Sequence, residues 1–169
     1  EFYAKQDKWG EFVRVLEREA DTAEGAQRTT LLLKIADLYK TRLDKADKAT
    51  KALERALSFD DNNLTVAEAL IDLYELAHDE RHISVPLKIQ LNHSEDPTQR
   101  QALLRRLADL AERIAGDETL AFSYYRQAFT EDHTQADVRE NLFRLGESIG
   151  AWTEQIESLR AAIEKYGTD

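Results

Sequence analysis

The amino-acid sequence predicts an all-α chain of about nine antiparallel helices, built from a repeated helical unit. Three observations carry that expectation. Only 6 glycines and 2 prolines punctuate 169 residues, far too few turn residues for a β-sandwich or barrel. A shift of 72 residues brings the chain onto itself, pairing Arg28 with Arg100, Leu32 with Leu104, Ala36-Asp37-Leu38 with Ala108-Asp109-Leu110, and Ala49 with Ala121. The match continues through Ala56 and Ala128, Asp60 and Asp132, Val66 and Val138, Leu70 and Leu142, Leu73 and Leu145, and Leu87 and Leu159. Many of these positions lie three or four residues apart, the spacing of one helix face.

The periodicity predicts helices over roughly 2–20, 26–42, 45–58, 63–78, 83–92, 97–115, 118–130, 135–149 and 151–166. Trp9, Phe12, Val13 and Leu16 mark the inner face of the first, with residues 1–5 read as the tail of a preceding helix. Asp44, Asp117 and Thr134 offer N-cap oxygens to the helices that follow them. Asp96-Pro97-Thr98-Gln99 combines an acceptor, a proline at the first helical position and a glutamine placed to close a capping box. Gly116 and Gly150 suit the left-handed residue that ends a helix. Pro86 cannot sit deep in a helix, so the fifth is expected to begin near Ile83 or to bend there.

Half of the 72-residue shift is 36, close to the ~34-residue unit of tetratricopeptide repeats. Leu32, Ile35, Ala36 and Tyr39, followed by Ala49, Leu53 and Ala56, resemble that family's alternation of large and small residues on helices A and B. Leu104, Leu107, Ala108 and Ala111, followed by Ala121, Tyr125 and Ala128, form a second copy. Ala67, Leu70, Ile71 and Tyr74 fit an A helix, whereas Ile83, Leu87 and Gln90 depart from the B pattern. Asp61 and His133 stand where the family closes a repeat with proline. The resemblance implies a right-handed α-α superhelix in which Ala36, Ala56, Ala108 and Ala128 permit close helix approach. Leu32, Leu53, Tyr125 and Phe129 would fill the space between pairs. Residues 1–169 read as one tetratricopeptide-like domain, a fragment of a longer array.

The resemblance also implies a function: a protein–protein interaction scaffold or adaptor that holds a partner segment against its A helices. The family's groove positions fall on Thr30, Leu33, Asp37 and Lys40; Thr65, Glu68, Asp72 and Glu75; Ala102, Arg105, Asp109 and Glu112; and Asp137, Glu140, Arg144 and Glu147. Acidic residues dominate this set, so the groove is expected to attract a Lys/Arg-rich protein or peptide. The alternative for the same residues is a solvated face of an acidic protein. The family's carboxylate clamp needs Lys, Asn and Arg where this chain mostly carries Asp and Glu, so that activity is not expected.

With 33 acidic against 23 basic residues the chain is a poor match for a phosphate backbone, and nucleic acid is not an expected partner. An RNA-processing assembly could still hold it as a non-catalytic scaffold. No Gly-rich phosphate loop, His-Glu-x-x-His, Gly-x-Ser-x-Gly or cysteine appears, so neither an enzyme nor a cofactor site is expected. His78 and His82 share helical i, i+4 spacing but straddle an expected turn, which reads as two surface histidines rather than a metal site. Asn63-Leu64-Thr65 and Asn92-His93-Ser94 match the glycosylation acceptor pattern, which is short and recurs by chance. No long apolar run predicts a membrane span. The compartment is not encoded, with the cytoplasm the favoured expectation; absence of methionine argues that Glu1 is not a natural start. The rival to partner binding is homo-oligomeric self-assembly through the terminal helices, with Trp152, Ile156 and Ile163 as the contact.

Overall fold

The computed structural model describes residues 8–167, with the side chain of Tyr166 not described. Among the described residues there are nine α-helices and no strand: α1 (Trp9–Thr22), α2 (Gly25–Thr41), α3 (Ala46–Phe59), α4 (Leu64–Leu76), α5 (Ser84–His93), α6 (Pro97–Arg113), α7 (Glu118–Glu131), α8 (Ala136–Ile149) and α9 (Trp152–Tyr166). The expected start of the first helix, before Trp9, lies mostly outside the described residues. The chain divides into two compact units, Glu1–Asp79 holding α1 to α4 and Glu80–Asp169 holding α5 to α9. Within each unit, connections of two to four residues turn the chain back so that consecutive helices pack side by side.

The 72-residue shift maps helix onto helix. Gly25–Thr41 lands on Pro97–Arg113, and Ala46–Phe59 lands on Glu118–Glu131. The small residues expected at close approaches are buried in both copies, Ala36 and Ala108, Ala49 and Ala121, and Ala56 and Ala128. Leu32, Leu53, Leu104, Tyr125 and Phe129 fill the space around them. Each fully buried leucine contributes about 1.5–3 kcal/mol of transfer free energy, so repeated leucines rather than surface contacts hold each unit.

Capping follows the expectation at some junctions and not at others. Asp96 accepts from Thr98 N at 2.9 Å and Asp117 from Leu120 N at 2.9 Å. Gly116 and Gly150 adopt φ of +67° and +73°. Pro86 sits in the first turn of α5, where its missing N–H costs nothing. Asp44, however, does not cap α3: it is itself left-handed at φ +51°, and Lys45 occupies the N-cap position while its N–H returns to Tyr39 O. Thr134 instead bonds Asp132 through its N–H and hydroxyl, leaving Gln135 at the start of α8. Gln99 accepts from the Ser94 hydroxyl rather than closing a capping box. Asn63 supplies a cap that the acceptor-pattern reading overlooked, receiving Val66 N at 3.0 Å.

Gly146 marks a close approach. The buried Gln155 amide lies against it and donates to Leu142 O and Phe143 O at 3.1 and 3.0 Å; a Cβ at position 146 would overlap that amide. Gly146→Ala gains about 1 kcal/mol of helix propensity. It displaces two hydrogen bonds worth about 1 kcal/mol each and strands a buried donor at a further ~1–3 kcal/mol. We expect a net loss of about 2–4 kcal/mol in urea unfolding, and no added loss when Gly146→Ala is placed in a Gln155→Ala background. A rise in stability on Gly146→Ala alone would contradict the contact.

Candidate functional site

In unit 1 the A-type helices α2 and α4 flank α3 and form a pocket of ≈ 190 Å³. Its floor is apolar: Ala36, Ala49, Leu53 and Leu73 are buried, with Leu33 and Ala69 half-exposed at the sides. Exposed Asp37 and Lys40 on α2 and exposed Asp72 on α4 form the polar rim. Thus four of the groove positions, Leu33, Asp37, Lys40 and Asp72, meet at one place. Glu68 and Glu75 are exposed on α4, one helical turn to either side of Asp72. Asp37, Glu68 and Asp72 make no ion pair among the described residues.

In unit 2 several carboxylates of the corresponding face are ion-paired within the chain. Arg105 on α6 lies 3.2 Å from Asp137 on α8 and donates to Gln135 Oε1 at 3.0 Å. The Arg105 Nε points too poorly for a hydrogen bond, so the contact with Asp137 is Coulombic. At the other end of the same two helices Arg144 grips Glu112 in a fork of 2.8 and 2.7 Å. That fork holds the Glu112 carboxyl below the usual carboxylate range. Asp109 receives Arg113, which forks onto Glu80 at 2.9 Å through both Nη atoms. Glu140 is exposed on α8. Each exposed pair is worth only ~0.2–1 kcal/mol, but together they occupy the Asp109, Glu112 and Asp137 carboxylates, whereas Asp37 and Asp72 of unit 1 make no ion pair among the described residues.

The repeat shows why the units differ. Shifted by 72, Arg105 corresponds to Leu33, Glu112 to Lys40, Asp137 to Thr65 and Arg144 to Asp72. The Arg105–Asp137 pair has no counterpart in unit 1, where Leu33 and Thr65 stand; the Glu112–Arg144 fork is replaced by the charge-reversed Lys40 and Asp72, which make no ion pair among the described residues. A count of acidic residues along the sequence misses this; Arg105–Asp137 and Glu112–Arg144 share a 32-residue spacing, but so do Lys40 and Asp72, so the spacing alone does not tell a paired position from an unpaired one.

Among the described residues no group of three or more His, Asp or Glu is placed to hold a metal, His78 and His82 included. A wider, open hollow of ≈ 680 Å³ lies along α7 and the α8–α9 turn, lined by Phe122, Ser123, Arg126, Gly150 and Glu154 among others. Its Arg126 is already engaged by Ser158 and Glu157, so the hollow presents less unmet charge than the smaller unit 1 pocket. No described helix is long and apolar enough to cross a membrane.

No protein-family model and no curated protein matches the chain. Among solved structures it is similar to a mutant of MamA, at 20% identity and a TM-score of 0.45, over 96% of this chain and 90% of that one. It is also similar to MamA MSR-1 C2, at 20% identity and a TM-score of 0.44, over 96% and 89%. A likeness at this level leaves the reading of the site to the residues themselves.

Proposed function

We propose that this chain is a non-catalytic protein-interaction module that cradles a Lys/Arg-bearing partner segment between α2 and α4. The observation that carries the reading is the pairing of Asp37 and Asp72 across an apolar-floored pocket, with no intramolecular cation pair on either carboxylate among the described residues. An extended basic side chain suits such a place: its methylenes cover Ala36, Ala69 and Leu73 while its cationic head meets the two carboxylates. Like charge at Glu68, Asp72 and Glu75 raises local repulsion, which a basic ligand relieves. The ion-paired α6–α8 face of unit 2 is the built-in comparison.

The test is a titration of the chain against Lys/Arg-rich, neutral and acidic peptides at two salt concentrations. Basic peptides should bind selectively and more weakly at high salt. Asp37→Asn and Asp72→Asn should each weaken binding about tenfold, the loss of roughly one charge-assisted hydrogen bond, while Asp109→Asn in unit 2 should leave it unchanged. Indifference to peptide charge, or an equal loss from Asp109→Asn, would sink the proposal.

A further inference from the structure

A second hollow of unit 1, ≈ 280 Å³, opens between α1 and α3 on another face of α2 from the acidic pocket. Leu32, Ile35 and Tyr39 of α2 and Ala52 of α3 form its apolar floor. Its rim on α3 is basic: Lys48, Lys51 and Arg55 follow the i, i+3, i+7 spacing of one helix face. Lys48 and Lys51 are exposed and make no ion pair among the described residues; the Lys48 ammonium lies 5.5 Å from the centre of the Tyr39 ring. The nearest carboxylates are already engaged. Glu17, the one acid of the lining, accepts the Tyr39 hydroxyl at 2.8 Å, and Asp21 takes Arg55 at 2.6 Å. On a chain of net charge −10, this is a local reversal of sign. The repeat ties the charge to the space. Shifted by 72, Lys48, Lys51 and Arg55 become Leu120, Ser123 and Gln127, and Ala52 becomes Tyr124, whose ring helps close the counterpart hollow to ≈ 70 Å³.

We infer that this hollow binds an acidic segment of a partner protein, with one bulky apolar side chain on the floor and flanking Asp or Glu carboxylates on Lys48 and Lys51. Size and charge select this occupant. A space of ≈ 280 Å³ falls below the roughly 300–1,000 Å³ of small-molecule sites, so it takes one side chain rather than a whole cofactor. Two lysines without an ion pair at the mouth favour carboxylates, which gain charge-assisted hydrogen bonds there. The negative charge of the rest of the chain does not decide the contact, because physiological salt screens exposed charges beyond about 8 Å. The apolar side chain is required: a purely polar acidic peptide meets the lysines but leaves the floor unused. The site is separate from the α2–α4 pocket and opposite to it in charge, so it goes beyond the basic-segment reading and does not depend on it.

The test is fluorescence anisotropy of a labelled poly-glutamate peptide with one central leucine, titrated with the chain to about 1 mM. It should bind, and the same peptide with serine at the centre should bind about tenfold more weakly. Ala52→Tyr, patterned on Tyr124, fills the hollow while keeping all three cations, and should weaken binding at least about tenfold. Lys51→Ala, a change at an exposed position that leaves the fold intact, should weaken it about tenfold, the loss of one charge-assisted hydrogen bond. Arg139→Ala removes an exposed cation of unit 2 and should change nothing. Neither Ala52 nor Lys51 lines the α2–α4 pocket, so the outcome is distinguishable from that of the basic-peptide titration. Absence of binding at about 1 mM, equal binding of the serine peptide, full binding by a folded Ala52→Tyr chain, or equal losses from Lys51→Ala and Arg139→Ala would overturn the inference.

Discussion

Tyr39→Ala is expected to cost about 3–5 kcal/mol in unfolding free energy, and adding Ala52→Tyr is expected to restore at least 1 kcal/mol of it. Tyr39 is buried near the end of α2, and its hydroxyl donates to Glu17 Oε1 on α1 at 2.8 Å. Its ring lines a ≈ 280 Å³ hollow together with Leu32, Ile35, Lys48 and Ala52. Removing the ring deepens that hollow and strips the contacts of its lining, which is where the cost arises. The repeat indicates the remedy. Shifted by 72, Tyr39 becomes Ala111 and Ala52 becomes Tyr124; both line the corresponding hollow of unit 2, which is only ≈ 70 Å³. One ring serves each unit, supplied by helix A in the first and helix B in the second. Comparing the two single variants with the double measures the exchange; strict additivity would show that the two positions do not share the space.

The same tyrosine makes the alkaline limb of stability informative. Burial, and then the hydrogen bond to the Glu17 carboxylate, push the Tyr39 phenol up to about 12. Tyr74 is raised in the same way by burial and by its 2.8 Å bond to Glu54. A folded value above the unfolded one means that the contribution is whole below pH ~10 and is lost as pH climbs toward the folded value. Tyr39→Phe should therefore flatten the stability loss above pH ~10, at a cost near 1 kcal/mol at neutral pH.

Helix positions were legible in the sequence because a buried stripe repeats every three or four residues whatever surrounds it. Caps were legible where the side chain acts on the next turn, as at Asp96 and Asp117, and not where another partner won. Asp44 lost the role because the turn after α2 needs it left-handed, and Thr134 because Asp132 lies closer to its donors. The groove positions carry the same lesson. Asp37 and Asp109 are the same letter in the same place of the repeat, but one stands unpaired on a pocket rim and the other lies against Arg113. That difference depends on which residue sits a turn away or on the facing helix, information that composition averages out. The tyrosine-to-glutamate bonds were missed because each joins residues twenty or more apart on different helices.

Arg100→Ala should destabilise the chain by about 2–4 kcal/mol, more than Arg28→Ala at the equivalent position. Arg100 is three-quarters buried in the first turn of α6. It forks onto Glu131 at 3.1 and 2.6 Å and also donates to Leu91 O and Ser94 O at 2.9 and 3.0 Å, tying the end of α5, its connection, and the last turn of α7 together. Truncation breaks all four bonds and leaves the Glu131 carboxylate in a partly desolvated place without its cation. Arg28 does the same work by softer means: it donates to Ala23 O at 2.7 Å and lays its guanidinium 4.3 Å over the Phe59 ring, and Phe59 is the residue that corresponds to Glu131. Glu131→Phe should accordingly be milder than Glu131→Ala, because a stacked arginine at this joint already exists in unit 1. The two variants also separate on pH. The Arg100 fork holds the Glu131 carboxyl below its ordinary range, so its contribution is present above pH ~4.3 and is lost as pH falls through the folded value. Wild-type chain should lose stability more steeply below pH ~4.3 than Glu131→Phe does. Parallel acid limbs in urea unfolding at stepped pH would mean that the fork does not couple to folding.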